Sequence, residues 1–332
     1  MERGRVDGSE RPVLLKLIRL APQLVVLLLL VFLVPLQPTY IQSLATKILI
    51  FAIFAMSLDL LIGYAGIMSL GHAAFFGAAG YGAGILAVRF GVDNLWLGLA
   101  SGILLATLIA AVFGIIALQA RGIYSILITF ALGQLLYSLA TKWRSVTNGD
   151  YGLWGIPLPA LGLSGFEWTN TYYYYFVFLA FLVCYFCLYR LMKSPFGKSL
   201  QGIREGESRM RALGYNTWLF KYAAFVIAGM FAGVAGVLFA YHSGIMTPGD
   251  LAVANSGFVM LMAIAGGLGT IYGPVIGAAL IITIQYYAGI LTADRWPLIL
   301  GGVFVLTIMY ARAGVGVYFY NLWKRVLVGW KF

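Results

Sequence analysis

Charged residues are scarce in this chain of 332 residues: they make up 10% of it, whereas 62% of the residues are hydrophobic. A soluble domain has about 25% charged residues, so this composition excludes one. Apolar runs of about 20 residues recur along the chain, and each is long enough to cross a bilayer as a helix. Because the runs are apolar on every side, they do not fit the alternating strands of a membrane barrel. The sequence therefore predicts an all-α polytopic membrane protein.

Cysteine is also nearly absent, since the chain has only Cys184 and Cys187. Their C-x-x-C spacing occurs in redox and metal sites. Here both lie in one apolar run, so we interpret them as packing or lipid-facing residues, and we predict no metal site. The charged N-terminus and the lack of a small-residue cleavage site after the first apolar run do not indicate a signal peptide.

The apolar runs give about ten candidate transmembrane helices, and glycines interrupt the third and the eighth. The candidate spans are residues 20–36, 44–62, 73–90, 95–118, 122–141, 171–191, 219–241, 256–271, 273–292 and 297–312. Ten spans divide into five plus five. An odd number of spans in each half would insert the halves in opposite senses, so we hypothesise an inverted repeat.

The positive charges are distributed unevenly along this topology. With a cytoplasmic N-terminus, 17 of the 22 lysines and arginines fall inside and 5 outside. Cytoplasmic loops carry such an excess, so we expect both termini in the cytoplasm. The net charge of +11 is then explained by membrane topology, and no nucleic-acid partner is predicted.

The stretch GYAGIMSLGHAAFFG, which begins at Gly63, is unusually rich in glycine and polar residues for a membrane segment. Gly63 and Gly66 weaken a continuous helix, and a break in lipid survives only against protein or a water-filled cavity. Ser69 and His72 add polar groups, and Asp59 adds a carboxylate one turn upstream. Close helix packing is one interpretation of the glycines. With the polar residues nearby, we favour a broken helix that lines a substrate pathway.

Residues 192–218 hold most of the interior charge. The sequence FGKS within them resembles the end of a phosphate-binding loop, but Met192 stands where that loop needs glycine, so this chain is not expected to hydrolyse nucleotide. An amphipathic stretch runs from Pro195 to Gly214, and four apolar residues can share one face: Leu200, Ile203, Met210 and Leu213. The alternatives are a charged loop that fixes topology and a docking helix for a soluble partner.

Three blocks of sequence resemble the permease subunits of branched-chain amino-acid ABC transporters of the LivM type. They are SLDLLIGYAGIMSLGHAAFFGAAGYGAG at 57–84, RGIYSILITFALGQLLY with TNGDYGLWGIP within 121–157, and SPFGKSLQGIREGESRMRALGYNTWLFKYAAFVIAGMFAGVAGVLFAY at 194–241, followed by AIAGGLGTIYGPVIGA at 263–278. Together they span most of the chain, and the first and third blocks are the most specific.

The resemblance implies a single permease domain over residues 1–332, located in the bacterial inner membrane. It implies a second permease subunit, two cytoplasmic ATP-binding subunits and an extracytoplasmic substrate-binding protein as partners. ATP and magnesium would be bound by the ATPases, with no cofactor in this chain. Residues 192–218 correspond to the cytoplasmic coupling loop, with five residues predicted to act in coupling: Arg204, Glu205, Glu207, Arg209 and Gly214. Met210 and Arg211 depart from the small residues that the family usually has there.

Three alternatives remain beside an amino-acid permease. A urea or short-amide ABC permease shares the same blocks. An ion-coupled secondary transporter would need carboxylates within its spans, and Asp59 is the only clear one. A membrane scaffold without transport activity is the third alternative, and the charged interior loop counts against it.

The pathway hypothesis predicts that Asp59→Ala and His72→Ala each reduce uptake while insertion into the membrane stays normal. Each substitution removes a polar group from the broken helix. Transport assays on membranes with matched protein levels check this. Undiminished uptake in both variants would contradict the assignment.

Overall fold

The computed structural model of the protein describes residues 30–120, 122–160, 168–291, 296–310, 314–316 and 318. Within this part the fold is helical, as predicted. The longer helices are α1 (Thr39–Asp59), α2 (Ala73–Phe90), α3 (Leu95–Ala117), α4 (Ile123–Lys142), α5 (Asn170–Lys193), α6 (Pro195–Glu205), α7 (Glu207–Ala212), α8 (Thr217–Ser243), α9 (Val253–Gly266), α10 (Tyr272–Leu291) and α11 (Trp296–Tyr310). Short turns of helix lie at Val34–Leu36, Arg144–Thr147, Gly149–Tyr151 and Pro248–Leu251.

Seven helices among the described residues are long and apolar enough to cross a membrane. They match seven of the predicted spans, although α1 continues through a π-helical turn at Leu60–Ala65. The predicted eighth span, 256–271, is shorter than expected, because α9 ends at Gly267 with a φ of 116°. The tenth corresponds to the 15-residue α11. Most of the first, 20–36, lies outside the described residues.

α1 forms the centre of the bundle. Of its most apolar 18-residue window, 94% is buried, against 28% for α3 and 22% for α4. It packs against α8, α10 and α5, while α2, α3 and α8 pack against one another. α1 is therefore enclosed by protein, and α3 and α4 present most of their surface outward. Cys184 on α5 is buried and Cys187 is exposed, and both are free thiols, which agrees with packing and lipid-facing roles.

Glycines allow the closest helix contacts in this bundle. A Cβ at Gly236 on α8 would collide with the backbone carbonyl of Phe76 on α2. A Cβ at Gly233 would lie 2.7 Å from the Cβ of Ala106 on α3. Small residues at helix interfaces let backbones approach, and van der Waals packing then stabilises the pair.

The segment after α4 contains short elements of structure. Its strand β1 (Leu153–Trp154) pairs antiparallel with β2 (Ile245–Met246), which follows α8. Leu153 faces Met246 in the register. This ribbon connects the two halves of the sequence at one end of the bundle. Residues 161–167 of the loop lie outside the described residues.

Residues 192–218 are largely helical rather than a loop. Gly206 has a non-helical backbone and separates α6 from α7, so the amphipathic stretch is two helices rather than one. Leu200 and Ile203 are buried, as predicted, but Leu213 is 72% exposed. The predicted single apolar face that includes Leu213 is therefore wrong, because the break at Gly206 changes the helix register.

The close contact between α8 and α2 predicts that Gly236→Ala lowers stability by about 1–3 kcal/mol. The new methyl group meets the Phe76 backbone, which cannot rotate away. Thermal unfolding of the purified protein in detergent measures this. Gly289→Ala on α10 is the matched control, since nothing lies within 4 Å of a Cβ there. Equal melting temperatures for the two variants would contradict the packing argument.

Candidate functional site

The broken helix predicted around Gly63 and Gly66 is confirmed. α1 continues as a π-helical turn over Leu60–Ala65 and ends at Gly66, which has a left-handed φ of 70°. A residue with a side chain is strained there, so glycine ends the helix at low cost. No regular helix covers the next six residues, until α2 begins at Ala73.

Asp59 is the carboxylate at the start of this break. It is 2% exposed, and its Oδ1 accepts a hydrogen bond of 2.8 Å from the backbone N–H of Gly269. Gly269 lies in the turn between α9 and α10, so this bond joins the break after α1 to the glycine-interrupted eighth predicted span. Gly63 lies beside it, and a Cβ at Gly63 would collide with the Asp59 carboxylate and the Gly269 nitrogen.

Arg204 on α6 completes this group of residues. Its Nη1 donates a hydrogen bond to the backbone carbonyl of Gly63. Its charge also interacts with Asp59, and a Cβ at Gly66 would lie 3.0 Å from its Cγ. We call Asp59, Gly63, Arg204 and Gly269 the Asp59 cluster. The cluster brings together Asp59 and Gly63 from the predicted pathway set and Arg204 from the predicted coupling set.

Asp59 also lines a small cavity. The cavity has a volume of about 10 Å³. Its lining residues are Met56, Asp59, Leu60, Tyr64, Leu188, Met192 and Ile271. That volume is sufficient for about one water. In this conformation the space beside Asp59 is therefore closed to a larger solute.

His72 is packed apart from the Asp59 cavity. It is fully buried, its ring stacks on Phe54 at 5.5 Å, and Phe75 contacts it edge-on. Its Nε2 lies 2.8 Å from Ser57 Oγ. Because the Ser57 hydroxyl is placed to donate to the Phe54 carbonyl at 2.7 Å, we assign the proton of this contact to Nε2. His72 Nδ1 then accepts nothing from the described residues.

Ser69 and His72 are close in sequence but not hydrogen-bonded to each other. Ser69 is 1% exposed, and its hydroxyl has no hydrogen-bond partner among the described residues. The structure therefore brings Asp59 and Gly63 together but separates them from Ser69 and His72. A pathway role for Ser69 and His72 stays a prediction.

Neighbouring helices supply hydrogen-bond acceptors to the backbone N–H groups where α1 is interrupted. The N–H of Leu70 donates to Thr129 Oγ1 at 3.2 Å, and that of Ala73 donates to Ser256 Oγ at 2.8 Å. Thr129 lies on α4 and Ser256 on α9. Non-helical backbone within a membrane needs such partners, because hydrocarbon supplies none.

Four residues of this site were not predicted from the sequence: Ser57, Thr129, Ser256 and Gly269. Ser57 precedes Asp59 by two residues, and Gly269 belongs to the second glycine-rich stretch, so local signals existed for both. Thr129 and Ser256 have no such signal. Their hydroxyls matter only because two other helices pack against the break.

The remaining predicted coupling residues lie on or beside α6 and α7. Glu207 binds Arg211, the Lys221 ammonium at 2.7 Å and the Thr217 hydroxyl at 3.1 Å. Partial burial alone would raise its pKa, but the hydrogen bonds from Lys221 and Arg211 outweigh burial and lower the pKa to about 2. Glu207 thus joins α7 to α8 as a structural anion.

Glu205, Arg209 and Gly214 differ from Glu207 in their surroundings. Glu205 and Arg209 are exposed, and Arg209 Nη2 donates to the Glu205 backbone carbonyl at 3.2 Å. Gly214 is also exposed and has a left-handed φ of 87° after α7. These residues form the surface of the two short helices that faces away from the bundle.

A bundle of membrane-spanning helices, with an interrupted central helix held by a short amphipathic helix, defines the class as a polytopic α-helical membrane protein. The profile of the family described as "Branched-chain amino acid transport system / permease component" matches residues 40–312. The chain therefore belongs to this family and is an ABC transporter permease. The predicted fold class and family resemblance are both confirmed.

Curated relatives include permeases for several kinds of substrate. The chain is 26% identical over 297 residues to the high-affinity branched-chain amino acid transport system permease protein LivM of Escherichia coli, which covers 82% of this chain and 69% of that protein. It is 26% identical to the L-arabinose ABC transporter permease protein AraH of Azospirillum brasilense, over 83% of this chain and 80% of that protein. The nucleoside ABC transporter permease protein NupC of Lactococcus lactis is 26% identical over 62% of this chain and 66% of that protein. No solved structure gives a significant match.

The Glu207 network predicts that Glu207→Gln destabilises the protein by about 1 kcal/mol at neutral pH. Its depressed pKa means that ionised Glu207 stabilises the folded state above its ordinary pKa of 4.5, and that this contribution is lost as the pH falls towards 2. Thermal unfolding in detergent as a function of pH measures the difference from wild type, which should shrink below pH 4.5.

The exposed neighbour Glu205 provides the control for this prediction. Glu205→Gln should leave the melting temperature unchanged across the same pH range. A stability difference for Glu207→Gln that persists undiminished at the lowest pH would contradict the ionic explanation.

Proposed function

We propose that this chain is a membrane subunit of an ABC importer that moves branched-chain or related amino acids into the cell. Support comes from the description of its family and from LivM relatives in Escherichia coli, Salmonella typhimurium and Methanocaldococcus jannaschii. The sugar and nucleoside permeases among the relatives make those solutes the competing substrates. A urea or short-amide substrate is a further alternative.

The contact between Arg204 and Gly63 carries the mechanistic part of this proposal. α6 is a short amphipathic helix, and Arg204 near its end donates to a backbone carbonyl within the π-helical turn. A movement of α6 therefore acts directly on the interrupted end of α1. Because Asp59, which immediately precedes this turn, is bonded to Gly269, the movement also reaches the connection between α9 and α10. Contacts of this kind can switch a packed bundle between two arrangements.

The partners follow from this mechanism and from the family. Two cytoplasmic ATP-binding subunits would bind ATP and magnesium and contact the outer surface of α6 and α7, at Glu205, Arg209 and Gly214. A second permease would complete the membrane unit, and an extracytoplasmic binding protein would deliver the solute. Both termini would then lie in the cytoplasm of a bacterium, as the 17 inside charges suggest.

An ion-coupled mechanism is less well supported. Asp59 is buried, and its Oδ1 already accepts the Gly269 N–H, while Arg204 supplies a nearby positive charge. A carboxylate that binds and releases a driving ion must exchange such partners during each cycle. Here the partners connect structural elements, which favours a role in coupling.

The proposal predicts that Arg204→Met reduces ATP-driven uptake by about tenfold or more, because a hydrogen bond from a charged donor contributes about 1.5–3 kcal/mol. Uptake is measured in proteoliposomes that contain the complete transporter, its soluble receptor and internal ATP. Partner subunits should still co-purify, and ATP hydrolysis should continue. The amount of solute moved per ATP therefore falls.

Arg89→Met is the matched control, since Arg89 is exposed near the end of α2 and belongs to neither the Asp59 cluster nor the predicted coupling residues. Its uptake per ATP should equal that of wild type. If Arg204→Met and Arg89→Met behave alike, the Arg204 contact is not the coupling element. Mass spectrometry of the complex isolated from native membranes tests the partners, and uptake that survives ATP depletion would contradict the ABC mechanism.

A further inference from the structure

Two opposite charges lie near the N-terminal half of α1, remote from the Asp59 cluster. Lys47 on α1 interacts electrostatically with Asp250, which lies in the turn Pro248–Leu251. Among the described residues, no carboxylate oxygen lies within 4.0 Å of the Lys47 ammonium. The two charges therefore influence each other without forming a direct ion pair.

The Asp250 carboxylate is held in a fixed orientation. Its Oδ2 accepts hydrogen bonds from the backbone N–H of Thr247 at 2.8 Å and from the Thr247 hydroxyl at 3.0 Å. Both bonds end on the same oxygen, and Oδ1 accepts no hydrogen bond from the described residues. One carboxylate oxygen is thus fixed by the turn, and the other retains its capacity to bind.

Tyr81 on α2 adds an unpartnered group to the same place. It is 4% exposed, and its hydroxyl has no hydrogen-bond partner among the described residues. It lies close enough to Asp250 for electrostatic interaction, and α2 packs against the turn that contains Asp250. A buried hydroxyl almost always has a partner, so this one points to a ligand or a water molecule.

His242 on α8 borders Lys47 on another side. The Lys47 charge acts on its ring, its Nε2 lies 3.3 Å from Ser43 Oγ, and the ring stacks on Tyr173 at 6.1 Å. The Lys47 ammonium itself lies 5.9 Å from the centre of the Phe51 ring. Residues of α1, α2 and α8 and of the turn Pro248–Leu251 thus lie near Lys47 and Asp250, whose charges together are neutral.

We infer that Lys47, Asp250 and Tyr81 form a binding site for the charged groups of an amino-acid zwitterion. Lys47 binds the carboxylate of the solute, Asp250 accepts from its ammonium group, and the Tyr81 hydroxyl supplies a further hydrogen bond. An intramembrane charge is costly and is retained where it binds something. Because the site is neutral overall, it selects a zwitterion over a solute with one charge. This inference rests on the proposed function.

The test is equilibrium binding of labelled L-leucine to the purified transporter complex without its soluble receptor. L-leucinamide lacks the carboxylate, and 4-methyl-2-oxopentanoate lacks the ammonium group. Each should compete at least about tenfold more weakly than unlabelled L-leucine, because each leaves one charge of the site unpaired. Lys47→Met should remove the preference over the amide alone, and Asp250→Asn should remove the preference over the oxo acid alone.

Controls separate recognition from a structural role. Lys47→Arg retains the charge and should keep both preferences, and so should Lys142→Met, which removes an exposed lysine elsewhere. Tyr81→Phe should weaken the binding of L-leucine without changing either preference. A structural role would weaken all three ligands equally and leave the ratios unchanged, which would overturn the inference.

Uptake measured with the same preparation shows whether the zwitterion site or the proposed amino-acid substrate is wrong. If the wild-type transporter imports L-leucine with ATP and receptor but shows neither preference, the zwitterion site is wrong and the proposed function stands. If ATP and receptor drive the uptake of a sugar or nucleoside and of no amino acid, the proposed substrate is wrong, and the zwitterion site is overturned with it.

Discussion

The hydrogen bond between the Asp59 carboxylate and the Gly269 N–H is the contact on which the rest of the site depends. α1 is the most enclosed of the long helices, and its regular geometry ends within the bundle. The backbone beyond that point cannot rely on lipid for hydrogen bonds. A buried carboxylate also needs donors, and the turn after α9 provides one. The bond between Asp59 and Gly269 therefore gives the buried carboxylate a donor and gives a backbone N–H an acceptor. It joins two segments that are 210 residues apart in sequence.

This arrangement explains why glycine occupies both sides of the bond. A side chain at Gly63 would occupy the space of the Asp59 carboxylate and the Gly269 nitrogen. Gly269 itself has a left-handed φ of 75°. The Gly63 carbonyl accepts a hydrogen bond from Arg204. In the interior of a regular α-helix, a backbone N–H four residues further along the chain would compete for this carbonyl. The glycines, the buried carboxylate and the short helix α6 thus act together at the break in α1.

The sequence predicted the helices and the break in α1 better than the contacts between segments that are distant in sequence. Hydropathy located most spans, and the glycines marked the break correctly, because both signals are local. The assignment of Arg204 and Asp59 to separate roles could not anticipate their contact, which depends on how α6 folds back against the π-helical turn. Thr129 and Ser256 were missed for the same reason, since an ordinary hydroxyl on a membrane helix acquires its role only from packing. Leu213 was misplaced because the helix break at Gly206 has no strong sequence signature.

α1 also connects the Asp59 cluster to the proposed zwitterion site at Lys47. Lys47 and Asp59 lie on the same helix, 12 residues and roughly 18 Å apart along its axis. α1 packs against α5, α8 and α10, and close packing resists bending of a helix. If α1 moves as a unit, a displacement at the Arg204 contact would shift Lys47 relative to Asp250, which Thr247 holds within a separate turn. The proposed coupling would then change the distance between two opposite charges remote from the Asp59 cluster.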